Sequence, residues 1–196
     1  MAARWLALAT YTAAVYGFLP FGPRIGITLG GTAAGAWLLG PGLTVLTMVG
    51  TLTLVLVLVR RVAPPHEYAM LLGAALGYVV AFSWLRGQHL ERTHLPEYGI
   101  AACLAWWALA PSVPAVVPGY VAAAGLAAAI GYGDELLQRV VPGRVYDLRD
   151  VGMNAVGAVL GTLVLAAARA GARPPAAAVA SATRVAERLD DPSLRP

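Results

Sequence analysis

Long apolar segments, joined by short turns rich in proline, glycine or arginine, make up most of this chain of 196 residues. The clearest segment, residues 43–59, contains no charged residue and ends at Arg60. A helix that crosses a bilayer needs about 20 largely apolar residues. Only 12% of the residues are charged, whereas soluble domains contain about 25%. Apolar length and low charge together predict a membrane protein built from helices.

The apolar segments predict an all-α fold, a polytopic transmembrane helix bundle with six or seven spans. The segment at 25–39 is short and rich in glycine and threonine, which leaves the number of early spans open. We expect a multi-pass protein of the cell membrane with N-terminal transmembrane helices in 1–67, a membrane domain in 68–169 and a flexible polar tail in 170–196. The predicted spans are 5–19, 25–39, 43–59, 68–85, 96–110, 121–132 and 151–168.

The residue types exclude several kinds of chemistry. All fourteen basic residues are arginine, so a lysine Schiff base and a lysine general base are not available. No basic patch is interleaved with aromatic residues on a soluble surface, and nucleic acid is therefore not an expected partner. The single cysteine, Cys103, excludes an intrachain disulfide.

Two stretches, 86–98 and 134–154, are unusually polar. The predicted span at 96–110 carries the chain to the opposite membrane face, and the span at 121–132 brings it back. Both polar stretches therefore lie at the same face. Six of the ten acidic residues and five of the fourteen arginines gather there. Polar groups at a membrane boundary are costly unless they are paired, so this asymmetry predicts a functional site.

Helical spacing places these polar side chains on shared faces. His94, Glu97 and Tyr98 are three or four residues apart, so one face of a helix carries all three. A stripe that contains Asp150 and Asn154 continues as glycines, which let helices approach closely in lipid. We therefore expect Asp150 and Asn154 to face the bundle. The full stripe consists of Asp147, Asp150, Asn154, Gly157 and Gly161. A third group with this spacing consists of Asp134, Glu135 and Gln138.

Three motifs carry a resemblance to a known family: His94-Leu-Pro-Glu97-Tyr98-Gly, Asp134-Glu135-x-x-Gln138, and Pro142-Gly143-Arg144-Val-Tyr-Asp-Leu-Arg149-Asp150-x-x-x-Asn154-x-x-Gly157. Over about residues 68–168 the chain resembles the VanZ-like family, small polytopic bacterial membrane proteins named for a teicoplanin-resistance protein. The resemblance implies a membrane bundle associated with cell-envelope lipids or glycopeptide tolerance, and it implies no settled reaction. The positions that match the family's polar residues are His94, Tyr98, Asp134, Glu135, Gln138, Arg144, Asp150 and Asn154.

The candidate catalytic residues are His94, Asp134 and Glu135. A nearby carboxylate shifts the pKa of a histidine within the neutral range, which suits acid–base catalysis. The structural alternative is a buried hydrogen-bonded network that fixes the bundle. Metal binding by Glu91-x-x-His94 with one of the two acids is a weaker hypothesis, because di-iron bundles use two such motifs. We therefore predict no metal and no cofactor.

Arg144, with Arg139 or Arg149, is the candidate for binding a lipid phosphate, because a guanidinium forms two parallel hydrogen bonds to phosphate. The structural alternative is a salt bridge from Arg144 to Asp147 or Asp150. The Pro142-Gly143 turn is expected to present Arg144. The candidate substrate-binding residues are Tyr98, Gln138, Arg144, Arg149, Asp150 and Asn154.

The favoured function is recognition of an envelope lipid, or of a lipid-linked phosphate headgroup, at this polar site. Membrane lipids are the expected partners. The enzymatic version is a lipid hydrolase or transferase. One alternative is a transporter or flippase that uses the buried acids as a proton relay. Another is a membrane partner subunit that binds a second protein and has no ligand.

Overall fold

A computed structural model describes residues 1–60, 63–85, 91–113 and 116–170, so most of the predicted tail lies outside the described residues. The described residues form helices and no strand, which confirms the all-α prediction. A π-helical segment at Leu38–Gly42 and a 3-10 turn at Glu91–Thr93 accompany the α-helices. The α-helices are α1 (Ala2–Phe18), α2 (Gly22–Gly30), α3 (Ala33–Trp37), α4 (Leu43–Arg60), α5 (Pro65–Trp84), α6 (His94–Leu109), α7 (Val116–Gln138) and α8 (Leu148–Ala170).

Four of these helices, α4, α5, α7 and α8, are long and apolar enough to cross a membrane. The predicted count of six or seven spans is not confirmed. Helices α1 and α6 contain 17 and 16 residues and are therefore short for a bilayer that needs about 20. The segment predicted at 25–39 is divided between α2 and α3, because Thr32 caps a new helix. Its Oγ1 accepts a hydrogen bond from the Gly35 amide at 3.0 Å.

The last two helices extend beyond the predicted spans. Helix α7 continues to Gln138, past the predicted end at 132, and α8 begins at Leu148 rather than at 151. Asp134 and Glu135 therefore belong to the last turns of α7, in agreement with the helix face that their spacing predicts. A helix holds their side chains in fixed directions, which a loop would not do.

Helices α6, α7 and α8 pack against one another, with α5 against α8 and α1 against α6. The contact of α6 with α8 depends on glycine. A Cβ atom at Gly161 would collide with the backbone of Gly99, and one at Gly157 would lie 2.6 Å from the carbonyl oxygen of Leu95. The small-residue stripe on α8 is therefore the surface on which α6 packs, as expected for close helix pairs in lipid.

Candidate functional site

Three buried side chains meet where α6 begins and α7 ends. The exposed fractions are 7% for His94, 1% for Asp134 and 0% for Glu135. One nitrogen of His94 and one carboxylate oxygen of each acid all lie within 4.8 Å of one another. We call these three residues the acid–histidine cluster. The structure thus brings together one residue of the first polar stretch and two of the second, as predicted, while residues 86–90 lie outside the described residues.

Hydrogen bonds fix both carboxylates of the cluster. The Gln138 side-chain amide donates to Asp134 Oδ2 at 3.1 Å and to Glu135 Oε1 at 2.7 Å. The backbone N–H of Asp147 donates to Glu135 Oε2 at 3.3 Å. Gln138 lies one helical turn after the two acids, so the helix face predicted from their spacing is present. These bonds hold the two carboxylates side by side.

Tyr98 and Asn154 enclose the cluster from α6 and α8. The Tyr98 ring is nearly parallel to the His94 ring, with 6.1 Å between the centroids, and its hydroxyl faces the Asp134 carboxylate. Asn154 Nδ2 donates to the carbonyl oxygen of Gly131 at 3.0 Å. A Cβ atom at Gly131 would lie 2.5 Å from the Asn154 Cβ. Asn154 therefore ties α8 to α7 and needs a glycine opposite it.

Arg144 lies in the loop between α7 and α8, directly after Gly143, whose φ of 80° favours glycine. Its side chain is partly buried, and its Nε is buried without a hydrogen-bond partner. Its Nη1 lies 3.8 Å from where a Cβ of Gly22, at the start of α2, would stand. Within the described ranges no acid is at ion-pair distance, so the predicted alternative of a salt bridge to Asp147 or Asp150 is wrong.

Arg149 and Asp147 form an ion pair at the rim of the site. Their closest nitrogen and oxygen atoms are 3.2 Å apart, and the Arg149 side chain is 56% exposed. The Arg149 backbone N–H also donates to Asp147 Oδ1 at 2.8 Å. These bonds stabilise the charged carboxylate and lower the pKa of Asp147. This pairing uses the carboxylate of Asp147 and leaves Arg149 outside the buried cluster.

Asp150 and Glu91 lie close to the cluster without belonging to it. Asp150 is buried in the first turn of α8, and its Oδ1 has no hydrogen-bond partner. Burial and the neighbouring Asp150 carboxylate raise the pKa of Glu91 above its ordinary value of 4.5. Glu91 does not join His94 in the group of closely spaced ligand atoms, so the Glu91-x-x-His94 motif is not realised as a metal site.

Several buried side-chain atoms at this end of the bundle have no hydrogen-bond partner within the described part of the chain. Buried polar atoms are paired in the large majority of cases. A concentration of unpaired ones therefore indicates a place for water, an ion or a ligand. The described residues contain eight such atoms, and six of them are His94 Nδ1, Tyr98 Oη, Asp134 Oδ1, Arg144 Nε, Asp150 Oδ1 and Asn154 Oδ1.

Helix α1 contributes two tyrosines that sequence reasoning missed. The Tyr16 hydroxyl donates to the carbonyl oxygen of Ile130 at 2.7 Å, and the Tyr11 hydroxyl donates to that of Glu97 at 2.9 Å. A Cβ atom at Gly133 would lie 2.5 Å from the Tyr16 hydroxyl. The sequence signal that could have found them was the presence of two tyrosines in a largely apolar helix. These contacts join α1 to the helices that carry the cluster.

A separate cavity of about 380 Å³ lies between α4, α5, α6 and α8. Its walls are largely apolar and include Leu46, Phe82 and Cys103. No residue of the acid–histidine cluster lines it. The polar site and this apolar cavity are therefore different features of the bundle.

Comparison with known proteins assigns this arrangement to a family. Residues 68–169, just over half of the chain, match the family model described as VanZ/LLP1. No curated protein and no solved structure matches the chain. The matched range contains α5 to α8 with the whole acid–histidine cluster, and α1 to α4 precede it. With its four long apolar helices, the chain is a membrane protein that belongs to the VanZ/LLP1 family.

Proposed function

We propose that this protein recognises the phosphate-bearing headgroup of a cell-envelope lipid at the end of the bundle that holds the acid–histidine cluster. The observation that carries the proposal is the state of Arg144. Its guanidinium is partly buried, has no acid at ion-pair distance among the described residues, and keeps a buried Nε without a partner. Burying a charge is costly unless it is paired. A phosphate oxygen supplies both the opposite charge and the acceptor that Arg144 lacks.

The acid–histidine cluster positions or protonates the bound phosphate. Arg144 is close enough to interact electrostatically with His94, Asp134 and Glu135. The unpaired Tyr98 hydroxyl provides one more hydrogen-bonding group at this place. In the enzymatic version the same residues serve a lipid hydrolase or transferase. The other residues proposed to contact the substrate are Gln138, Arg149, Asp150 and Asn154.

The position of the site along the helices suits a headgroup. The start of α6, the end of α7 and the start of α8 lie together at one end of the bundle, and in this proposal that end lies at the membrane boundary, at the level of the headgroups. In this proposal α1 and α6 cross the membrane beside the four longer helices, which makes a six-span protein of the cell membrane. An effect on wall or lipid-linked metabolism, and through it on glycopeptide tolerance, follows from binding such a lipid.

Native mass spectrometry of the gently solubilised protein tests the headgroup site. We expect an anionic or polyprenyl lipid to copurify with the wild type and to be lost from Arg144→Ala. Arg60→Ala is the matched control, because Arg60 is exposed at the end of α4 and lies outside the two polar stretches. It should retain the lipid. Equal retention by Arg144→Ala, or no retained lipid in the wild type, would contradict the proposal.

A proton-coupled transporter or flippase is the second candidate function. It is favoured by one observation, the two adjacent buried carboxylates beside His94, because buried acids serve proton relays in transporters. Asp134→Asn should abolish proton-coupled movement in vesicles and leave binding of a phosphate headgroup intact. If Asp134→Asn and Arg144→Ala both behave like the wild type in transport and in lipid binding, a non-catalytic partner subunit becomes the better hypothesis.

A further inference from the structure

We propose that the acid–histidine cluster binds one divalent cation, with His94, Asp134 and Glu135 as its protein ligands. The inference concerns the cluster alone and does not depend on lipid recognition by Arg144. It differs from the sequence-based prediction of no metal, and it assigns metal ligation to these residues in place of the protonation of a bound phosphate.

The spacing in the cluster is too long for direct contact and short enough for an ion. The candidate ligand atoms lie within 4.8 Å of one another, yet among the described residues no carboxylate oxygen lies within 4.0 Å of a His94 nitrogen. A divalent ion such as zinc forms bonds of about 2.1 Å to imidazole nitrogen and to carboxylate oxygen, so its tetrahedral ligand atoms lie about 3.4 Å apart. Side-chain rotations that shorten the separations by about 1 Å would close the cluster around such an ion.

Two of the ligand side chains have polar atoms without a well-formed hydrogen bond. His94 Nδ1 and Asp134 Oδ1 are buried and have no hydrogen-bond partner within bonding geometry, although the Asn154 side chain lies near His94 and the Tyr98 hydroxyl faces Asp134. Both side chains are more than nine-tenths buried. Asp134 and Glu135 also place two carboxylates next to each other in a buried position. Buried charges in proteins are paired or coordinate metals. An ion with two positive charges would balance the two carboxylates and bind one nitrogen of His94.

The surroundings of the cluster resemble the outer shell of a metal site. Ligating carboxylates are usually held by further hydrogen bonds, which fix their orientation. Gln138 donates to both carboxylates, at 3.1 and 2.7 Å, and the Asp147 backbone N–H donates to Glu135 at 3.3 Å. Each carboxylate is therefore oriented by a group that is not itself a ligand.

The donor set indicates which ions fit. One imidazole nitrogen with two carboxylates suits first-row divalent ions such as Mn²⁺, Fe²⁺ and Zn²⁺. Three protein ligands leave coordination positions open for water or for an oxygen of a bound molecule. We take Mn²⁺ as the probe, because its free form is quantified directly by electron paramagnetic resonance, and Zn²⁺ as a competitor.

The test is a titration of the full-length, detergent-solubilised protein with Mn²⁺ after removal of metals with a chelator. We expect one tightly bound ion per chain in the wild type, displaced by Zn²⁺. In Asp134→Asn and His94→Gln the affinity should fall by about tenfold or more, since loss of a ligand costs at least as much as loss of an outer-shell partner. Glu91→Gln, the matched control, changes an acid beside the cluster and should bind like the wild type.

Thermal unfolding followed by tryptophan fluorescence separates loss of the site from loss of the fold. Metal that binds only the folded protein raises the unfolding temperature, so Mn²⁺ should stabilise the wild type and Glu91→Gln. A metal-free Asp134→Asn protein should unfold cooperatively without such a rise, and Glu135→Gln replaces it if it does not fold. Absence of Mn²⁺ and Zn²⁺ binding in the wild type, or unchanged affinity in folded ligand variants, would overturn the proposal. Arg144→Ala should lose the lipid and keep the metal, which distinguishes failure of one proposal from failure of the other.

Discussion

The contact between α6 and α8 has two parts of opposite character. At the end that holds the acid–histidine cluster, His94 and Asn154 carry buried polar atoms without hydrogen-bond partners. Further along the same two helices, Gly99 and Gly161 bring the backbones together. The buried polar side chain beside this contact, Thr162, is paired, because its hydroxyl donates to a carbonyl oxygen of the same helix at 2.8 Å. One pair of helices therefore supplies both a closely packed seam and a polar site.

The difference between the two parts indicates that one part stabilises the bundle and the other part serves function. Unpaired buried polar groups destabilise a fold, and real proteins tolerate such violations mainly at functional sites. The glycine seam, formed by Gly99, Gly157 and Gly161, provides packing that allows the polar end to keep its unpaired groups. If this division is correct, changes in the seam alter stability strongly, and changes at the polar end alter it much less.

The largest effect is expected from Gly161→Val in the seam. The new side chain would collide with the backbone of Gly99, and overpacking of a close contact costs about 1–3 kcal/mol or more. We expect a large fall in the unfolding temperature, measured by tryptophan fluorescence in detergent. Gly125→Val on α7 is the control, because no atom lies within 4 Å of a Cβ at Gly125. Equal unfolding temperatures for the two variants would show that the seam does not support the bundle.

A smaller effect is expected from Asn154→Ala at the boundary between the two parts. The variant loses the hydrogen bond to the Gly131 carbonyl at 3.0 Å, which contributes about 1 kcal/mol. That carbonyl lies within α7 and keeps its helical hydrogen bond, so the loss stays moderate. Val156→Ala on the exposed side of α8 is the control in the same unfolding measurement. A fall in unfolding temperature as large as that of Gly161→Val would contradict the proposal that the seam and the polar end have separate roles.

Much of this arrangement could be predicted from the sequence, because it follows from helical periodicity and alternating direction. The spacing of His94 and Tyr98 predicted one helix face, and the antiparallel order of α6, α7 and α8 predicted that Asp134 would reach that face. The stripe of Gly157 and Gly161 predicted a packing surface. These features depend on local spacing and on the order of the helices, and both are properties of the sequence itself.

The rest depends on contacts between distant residues, for which the sequence carries little signal. Tyr16 lies more than a hundred residues before its acceptor, Ile130, and a tyrosine in an apolar helix is equally compatible with a membrane interface. Asp147 pairs with Arg149 rather than Arg144. This choice depends on how the loop before α8 places Asp147 and Arg144. The break between α2 and α3 depends on competition between helix continuation and the Thr32 cap.

The smallest effect is expected beside the polar part, at Glu91, and it concerns pH. Burial and the Asp150 carboxylate raise the pKa of Glu91 above 4.5, while Arg149 opposes the shift. The folded protein therefore binds this proton more tightly than the unfolded chain, and stability rises as the pH falls from 7 through the raised pKa towards 4.5. Glu91→Gln should show a smaller rise in unfolding temperature over this range than the wild type.

Asp147→Asn is the control for this pH dependence, because the shift at Asp147 has the opposite sign. Its pKa is lowered from 3.8 by the bonds from Arg149, so its stabilising contribution is fully present above 3.8 and is lost only as the pH falls below that value. Asp147 is also the weaker of the two carboxylates that raise the pKa of Glu91, so between pH 7 and 4.5 the slope for Asp147→Asn should fall less than the slope for Glu91→Gln. An unchanged slope in Glu91→Gln would show that the protonation of Glu91 does not contribute to this pH dependence.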